Sequence, residues 1–276
     1  MILKQEILHS AATNNLSPQV IEKDYVLGWL LAGIGQHQAL NKSWLFKGGT
    51  CLKKCYVETY RFSEDLDFTL KHESHLDEVF LKNTFSEISD WVYEMTGIEL
   101  PTERMKFDFY REGSCQGRIY YRGPIAPTSL KQIPRIKLDL TVKELIVELP
   151  VVNLVNHSYS DHLTDGMKIL CYSYIEVIAE KIRALAERIR PRDLYDVINF
   201  YRRPKSAILA TNIRQVLEKK CKYKGIKVPD DGDLEHQRVI CGAGWNDQLS
   251  HQLQTLPSFE SFWNELSDFF VWLKES

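Results

Sequence analysis

The chain has 276 residues, 44% of them hydrophobic and 26% charged, which is enough apolar material for a real core and excludes disordered and fibrous classes. Lys and Arg number 35 against 37 Asp and Glu, a net charge of -2, so bulk attraction to nucleic acid is excluded and any such contact must come from a local patch. The opening MILKQEILHS is too polar for a signal peptide, and no apolar run approaches the roughly 20 residues of a membrane span, so a cytoplasmic protein with no membrane partner is expected.

Residues 2–13 and 17–36 are predicted helices. The second opens on Ser17-Pro18, an N-cap followed by proline at the first helical position, and carries Val20, Ile21, Val26, Leu27, Leu30 and Leu31. Residues 44–46 form a short strand that runs into Lys47-Gly48-Gly49-Thr50, and a short helix follows over 52–56. Residues 65–70 alternate as a strand, and 76–95 form an amphipathic helix. A β-rich stretch follows, with strands over 105–111, 118–122 and 133–142 punctuated by Gly113, Gly117, Gly123 and Pro124, and a weaker strand over 151–155. From residue 173 the pattern is helical, over 174–190, 191–203, 206–221 and 258–274. The predicted boundary near Asp165-Gly166 separates a mixed α/β domain, 1–165, from a helical one, 166–276. The six cysteines show no CxxC and no Cys/His metal spacing and are read as reduced, packed thiols, with Cys51 and Cys55 at helical spacing in an apolar stretch.

The chemistry concentrates in FKGGTCLKKCYVETYRFSEDLDFTL, residues 46–70. A strand ending in Lys47-Gly48-Gly49-Thr50 offers bare backbone N–H groups to phosphate oxygens, and the Thr50 hydroxyl is a further candidate donor. On a strand Asp65 and Asp67 share one face while Leu66 and Phe68 share the other. At ~4 Å two such carboxylates repel by roughly 1 kcal/mol in water and about 4 at an effective dielectric of 20. A divalent cation turns that repulsion into a site, and oxygen ligands suit Mg²⁺ or Mn²⁺. In 133–142, Ile136, Leu138 and Leu140 face a core, so Arg135, Lys137, Asp139 and Thr141 share the other face. Asp139 is a candidate third metal ligand, against the alternative of a salt bridge with Lys137 and Arg135.

In the helical half, Ile178, Ile182, Leu185 and Ile189 form a buried stripe with Lys181 at its edge, free to reach either water or a triphosphate. Glu180, Arg183 and Glu187 lie nearly opposite and are expected in solvent. Pro191 starts the next helix, where Asp193 complements the helix dipole and Asp196 points away from the stripe of Leu194, Val197, Ile198 and Tyr201. Basic residues cluster around Pro191 (Arg188, Arg190, Arg192, Arg202, Arg203, Lys205) and beyond it (Lys219, Lys220, Lys222, Lys224, Lys227), the candidates for a local nucleic-acid surface.

The run KGGTCLKK…RFSEDLDF, then KLDL, then EKIRALAER…RPRDLYDV resembles the AbiEii/AbiGii toxin family of nucleotidyltransferases, in the DNA polymerase β-like superfamily. The likeness extends from IEKDYVL at residues 21–27 to the RDLYD helix. It implies an α+β fold, a minimal nucleotidyltransferase mixed sheet with flanking helices followed by a C-terminal helical bundle, with NTP and Mg²⁺ (or Mn²⁺) in the cleft between them. By motif match it implies metal ligands at Asp65, Asp67 and Asp139, an NTP-contacting lysine at Lys181, and the acidic position of the last motif at Asp193 or Asp196, with Asp196 the catalytic candidate. Family members act as toxins opposed by a co-encoded antitoxin, often in phage defence, and some add nucleotides to tRNA, so the resemblance implies an RNA acceptor. The wider superfamily has Gly-Ser where this chain has Gly48-Gly49-Thr50, and the Thr50 hydroxyl stands as the replacement. The residues alone leave open a small-molecule or protein acceptor, or a non-catalytic binding module.

Overall fold

The computed structural model describes residues 1–57, 60–125, 133–203 and 207–275. The chain forms two compact units, one of residues 1–144 and 150–172, the other of residues 145–149 and 173–276.

The first unit is built on a seven-stranded mixed sheet of order β3-β4-β5-β2-β1-β7-β6. Its strands are β1 (Trp44–Lys47), β2 (Asp65–Leu70), β3 (Lys106–Tyr110), β4 (Ser114–Tyr120), β5 (Arg135–Thr141), β6 (Val151–Leu154) and β7 (Lys168–Cys171). β2 runs parallel to β5 and β1 parallel to β7, and the other pairings are antiparallel. Helices α1 (Lys4–Asn14), α2 (Pro18–Gln36) and α4 (Glu78–Thr96) flank it. The Ser17 hydroxyl accepts from Val20 N at 3.4 Å and starts α2, Asp77 caps Phe80 N at 2.8 Å and starts α4, and Gly97 at φ 77° ends α4 in the left-handed conformation.

Three features of this unit depart from the predicted elements. β4 begins at Ser114 rather than 118, because Gly117 lies inside the strand rather than ending it: a Cβ there would press on the Phe107 ring and Leu138 at 3.1–3.2 Å, so the missing side chain makes room for cross-strand packing. β7, absent from the predicted elements, is four residues long and gets its place from neighbours on both sides, β1 and β6. The sheet unit thereby carries past residue 165. After Gly48–Cys51 (α3), the predicted short helix over 52–56 is a π-helical turn, Leu52–Tyr56.

A buried ion pair fastens that turn. Lys54 Nζ lies 2.8 Å from Asp24 of α2, and Asp24 also accepts from the Tyr159 hydroxyl at 3.0 Å. Burial pushes the Asp24 carboxyl up, but the neighbouring lysine charges outweigh it and hold the group below its ordinary value.

The second unit is helical. It contains α5 (Tyr174–Arg188), α6 (Pro191–Tyr201), α7 (Ala207–Lys224), the short α8 (Asp231–Leu234), α9 (Arg238–Ala243) and α10 (Trp245–Leu249), then α11 (Phe259–Trp263) and α12 (Leu266–Glu275). The single predicted helix over 258–274 is thus two, and the Ser258 hydroxyl caps the first by accepting from Ser261 N. Residues 145–149 join this unit through buried polar groups. Glu176 accepts from Val147 N and Glu148 N, and Lys220 bonds Glu176 at 2.6 Å and the Leu145 carbonyl at 3.0 Å. Among the described residues no helix is long and apolar enough to cross a membrane.

Candidate active site

The sheet register builds a polar row across four adjacent strands of the first unit. Lys47 on β1 stands opposite Asp67 on β2, Asp67 opposite Asp139 on β5, and Asp139 opposite Gln116 on β4. Asp65 and Asp67 share the partly exposed face of β2, while Leu66, Phe68 and Leu70 are buried behind it. On β5 the alternation is the predicted one, with Ile136, Leu138 and Leu140 inside. A hollow of about 280 Å³ opens on this row, lined among others by Lys47, Asp67, Gln116, Asp139, Tyr110 and Thr141.

The salt-bridge alternative for Asp139 is realised with Lys137. Its Oδ2 takes a 2.6 Å bond from Lys137 Nζ, and its Oδ1 accepts from Gln116 Nε2 at 3.2 Å. Burial works against the Lys137 charge, but the hydrogen bond and charge of Asp139, with the charges of Asp65 and Asp67, prevail and raise its pKa. One ammonium is therefore drawn toward three carboxylates, and this donor set, all hard oxygens on two parallel strands, suits a hard divalent cation in its chemistry.

At the end of β1, Gly48 adopts φ +81°, a backbone region that costs other residues strain, and a Cβ there would run into the Asp67 carboxylate. A Cβ at Gly49 would lie 2.6 Å from Arg61 Nη2. The two glycines let the turn close onto Asp67 on one side and buried Arg61 on the other. Lys47 is buried, with Nζ 5.8 Å from the centre of the Tyr172 ring. Thr50 departs from its expected use as an outward donor: it is 1% exposed, and its hydroxyl bonds the Asp65 carbonyl at 2.5 Å and Ser63 Oγ at 2.8 Å. That hydroxyl locks the turn to the start of β2.

The second unit carries its own ionic cluster. Lys181 Nζ lies 3.1 Å from Asp193 and 2.8 Å from Asp196, and Arg188 Nε lies 2.8 Å from Asp193. Burial pushes the Asp193 carboxyl up, yet the charges of Lys181 and Arg188 overcome it and hold the group below its usual value. Lys181 does not reach for water, and Asp196, at 0% exposure, does not face solvent, because the second face of α6 packs on α5. Arg183 is likewise buried instead of solvated, paired with Glu187 at 3.1 Å, and Glu180 bonds Lys220. α5 packs against both α6 and α7, so more than its apolar stripe is covered. Between Arg188 and Pro191, Ile189 takes φ 39°, an unfavourable conformation for a β-branched residue.

The basic candidates thin out in the same way. Lys220 is buried on Glu176, Arg202 lies 2.7 Å from Glu265, and Lys227 lies 3.0 Å from Asp230, while Lys205 lies outside the described residues. Sequence reasoning misses Gln116 and Arg61, and it places Arg188 on a basic surface where the structure pairs it with Asp193. The only sequence signal for Gln116 is its place in an alternating strand, and Arg61 has none beyond charge.

Residues 29–266 match the family described as nucleotidyl transferase AbiEii toxin, type IV TA system. A comparison with curated proteins finds no match. Among solved structures the chain is similar to MenT4, a nucleotidyltransferase toxin from Mycobacterium tuberculosis H37Rv, at TM-score 0.65 and 16% identity over 100% of this chain and 91% of that one. It is also similar to JHP933 from Helicobacter pylori, at TM-score 0.58 and 17% identity over 94% of this chain and 93% of that one. At these identities the likeness concerns the fold.

Proposed function

The chain belongs to the AbiEii family of nucleotidyltransferase toxins of type IV toxin–antitoxin systems, and from that premise we propose that it transfers a nucleotide from an NTP to an RNA acceptor, tRNA included. The observation that carries the reading is the Lys47–Asp67–Asp139–Gln116 row, with Asp65 on the same face. Asp65, Asp67 and Asp139 would hold Mg²⁺ or Mn²⁺, which when bound neutralises phosphate charge and steadies the attacking and leaving oxygens.

The acceptor hydroxyl attacks the α-phosphorus in line, a new P–O bond forms, the bond to the β-phosphate oxygen breaks, and pyrophosphate leaves. Asp139 accepts the hydroxyl proton, since the residue lines an open hollow shared with Asp67. The backbone N–H groups of Gly48, Gly49 and Thr50 hold phosphate oxygens, at a turn that the two glycines let close beside Asp67. Lys181 contacts the triphosphate and Asp196, with Asp193, sets its ammonium; these roles rest on motif position. A co-encoded antitoxin opposes the activity.

The RNA acceptor draws on the exposed Arg190, Arg203, Lys219, Lys222 and Lys224, since a net charge of -2 supplies no global attraction. Incubation with labelled NTPs, Mg²⁺ and total RNA tests it. Label is expected on RNA, with log affinity falling against log salt at a slope of about -0.7 to -0.9 per phosphate contact. Label on protein or a small molecule, or a salt-independent reaction, overturns the RNA acceptor and leaves the nucleotidyltransferase assignment standing.

A further inference from the structure

Cys51 and Cys55 lie one helical turn apart just beyond Thr50, a spacing that by itself reads as packing. The fold adds a third sulfur. β7 lies parallel to β1 with Cys171 opposite Phe46, which brings Cys171 under the same turn. The Sγ atoms of Cys51, Cys55 and Cys171 lie within 4.8 Å of one another. All three are free thiols; Cys51 and Cys171 are fully buried and Cys55 is half-buried. Among the described residues no other metal-ligating cluster of histidine, cysteine or carboxylate has this spacing.

We propose that Cys51, Cys55 and Cys171 form a site for a soft thiophilic cation, Zn²⁺ or Cu⁺, distinct from the hard-oxygen carboxylates of the sheet. Sulfurs bound to one ion at about 2.3 Å stand roughly 3.8–4.0 Å apart, so the observed spacing needs to close by less than about 1 Å. Thiolates select soft ions over Mg²⁺, so the site and the carboxylates do not compete for metal. Cysteine binds a metal as the thiolate, so an entering cation displaces the thiol protons. Trigonal Cu⁺ needs no further ligand. Tetrahedral Zn²⁺ needs a fourth, and the Tyr56 hydroxyl stands 3.7 Å from Cys171 Sγ, although it donates to the Tyr172 carbonyl at 2.5 Å. An ion here would tie β7 to the residue that follows Thr50 and so stiffen the Gly48-Gly49-Thr50 turn.

The test uses the full chain, reduced and free of oxygen, titrated with Co²⁺ as a spectroscopic probe for Zn²⁺ and separately with Cu⁺ against a competing chelator. One equivalent of Co²⁺ giving a thiolate-to-cobalt charge-transfer band, displaced by Zn²⁺, supports the zinc arm. One equivalent of Cu⁺ retained against the chelator without such a band supports the copper arm. Cys171→Ser and Cys55→Ser should each weaken binding at least about 100-fold, whereas Cys115→Ser, Cys221→Ser and an Asp65→Asn/Asp67→Asn double variant should keep it. If the folded wild-type chain shows neither the band nor retained Cu⁺, the site is refuted, and a band that persists in Cys171→Ser refutes it too. Should Cys171→Ser fail to fold by circular dichroism, the wild-type titration decides alone.

Discussion

Asp65, Asp67 and Asp139 stand on the open face of a sheet with Lys137 reaching among them, and Lys137 and Asp139 keep 41% and 34% of their side chains exposed. Asp193 and Asp196 also flank a lysine, but they are 2% and 0% exposed and meet two cations, Lys181 and Arg188. The first cluster keeps an excess of negative charge that water and mobile ions can reach, so a bound cation strengthens it. The second is compensated within the protein, where taking away one member leaves a buried charge without its counterpart. Carboxylates of the same type thus stand open to solvent in one unit and are compensated internally in the other, and the difference lies in burial and in the number of cations supplied.

The sharpest test of that contrast is Asp67→Ala. Transfer from labelled NTP should fall by about 10³-fold or more, corresponding to several kcal/mol of lost charge stabilisation, while the melting temperature holds or rises as like-charge repulsion is relieved. A well-folded Asp67→Ala protein with near-normal turnover would break the metal-carboxylate reading. Asp196→Ala should do the opposite and cost about 3–5 kcal/mol in urea unfolding, because Lys181 loses a buried partner. A change within ±0.5 kcal/mol would mean that the cluster is not internally compensated.

Next in size is Lys181→Ala, which should weaken NTP binding by about 1.5–3 kcal/mol when measured calorimetrically below the unfolding transition. Arg183→Ala should leave NTP affinity unchanged, since its partner Glu187 is exposed enough to turn to water. Sensitivity at Arg183 instead of Lys181 would reverse the assignment along α5. Acid titration reads a smaller effect. The folded pKa of Asp193 lies below its ordinary 3.8, so its contribution to stability is complete above that value and is lost as pH falls through the lowered folded pKa. Asp193→Asn should flatten the acid limb of the stability curve in that window; an unchanged limb would remove Asp193 from the compensated set. The smallest effect is expected at Lys137→Gln. Removing the ammonium that Asp139 holds should lower the Mg²⁺ concentration for half-maximal transfer by roughly threefold to tenfold, an effect of about 1 kcal/mol. A higher Mg²⁺ requirement would show that Lys137 supports the cation site and does not compete with it.

Much of this was legible along the chain, and the rest fails for identifiable reasons. Gly117 looked like punctuation because a glycine that admits a neighbouring ring has the same local signature as one that ends a strand. Four-residue β7 carries too short an alternation to stand out. Arg183 and Lys220 looked solvated because helical periodicity marks one buried stripe, whereas α5 is covered by two neighbouring helices. Thr50 looked like a donor to ligand because nothing nearby in sequence reveals that Asp65's carbonyl would take its proton.

What the residues determined by themselves is local. Period-two alternation set Asp65 with Asp67 and set Lys137 with Asp139, Gly48 permitted the left-handed turn, and Ser17 and Asp77 started their helices. The tertiary structure decided every pairing between distant segments: Asp67 opposite Asp139, Lys181 between Asp193 and Asp196, and Cys171 against Cys51 and Cys55. Alternation and capping are properties of a few consecutive residues, so they can be read in a short window. Register and helix-on-helix contact depend on which faces the whole chain buries against one another, and no short window contains that information.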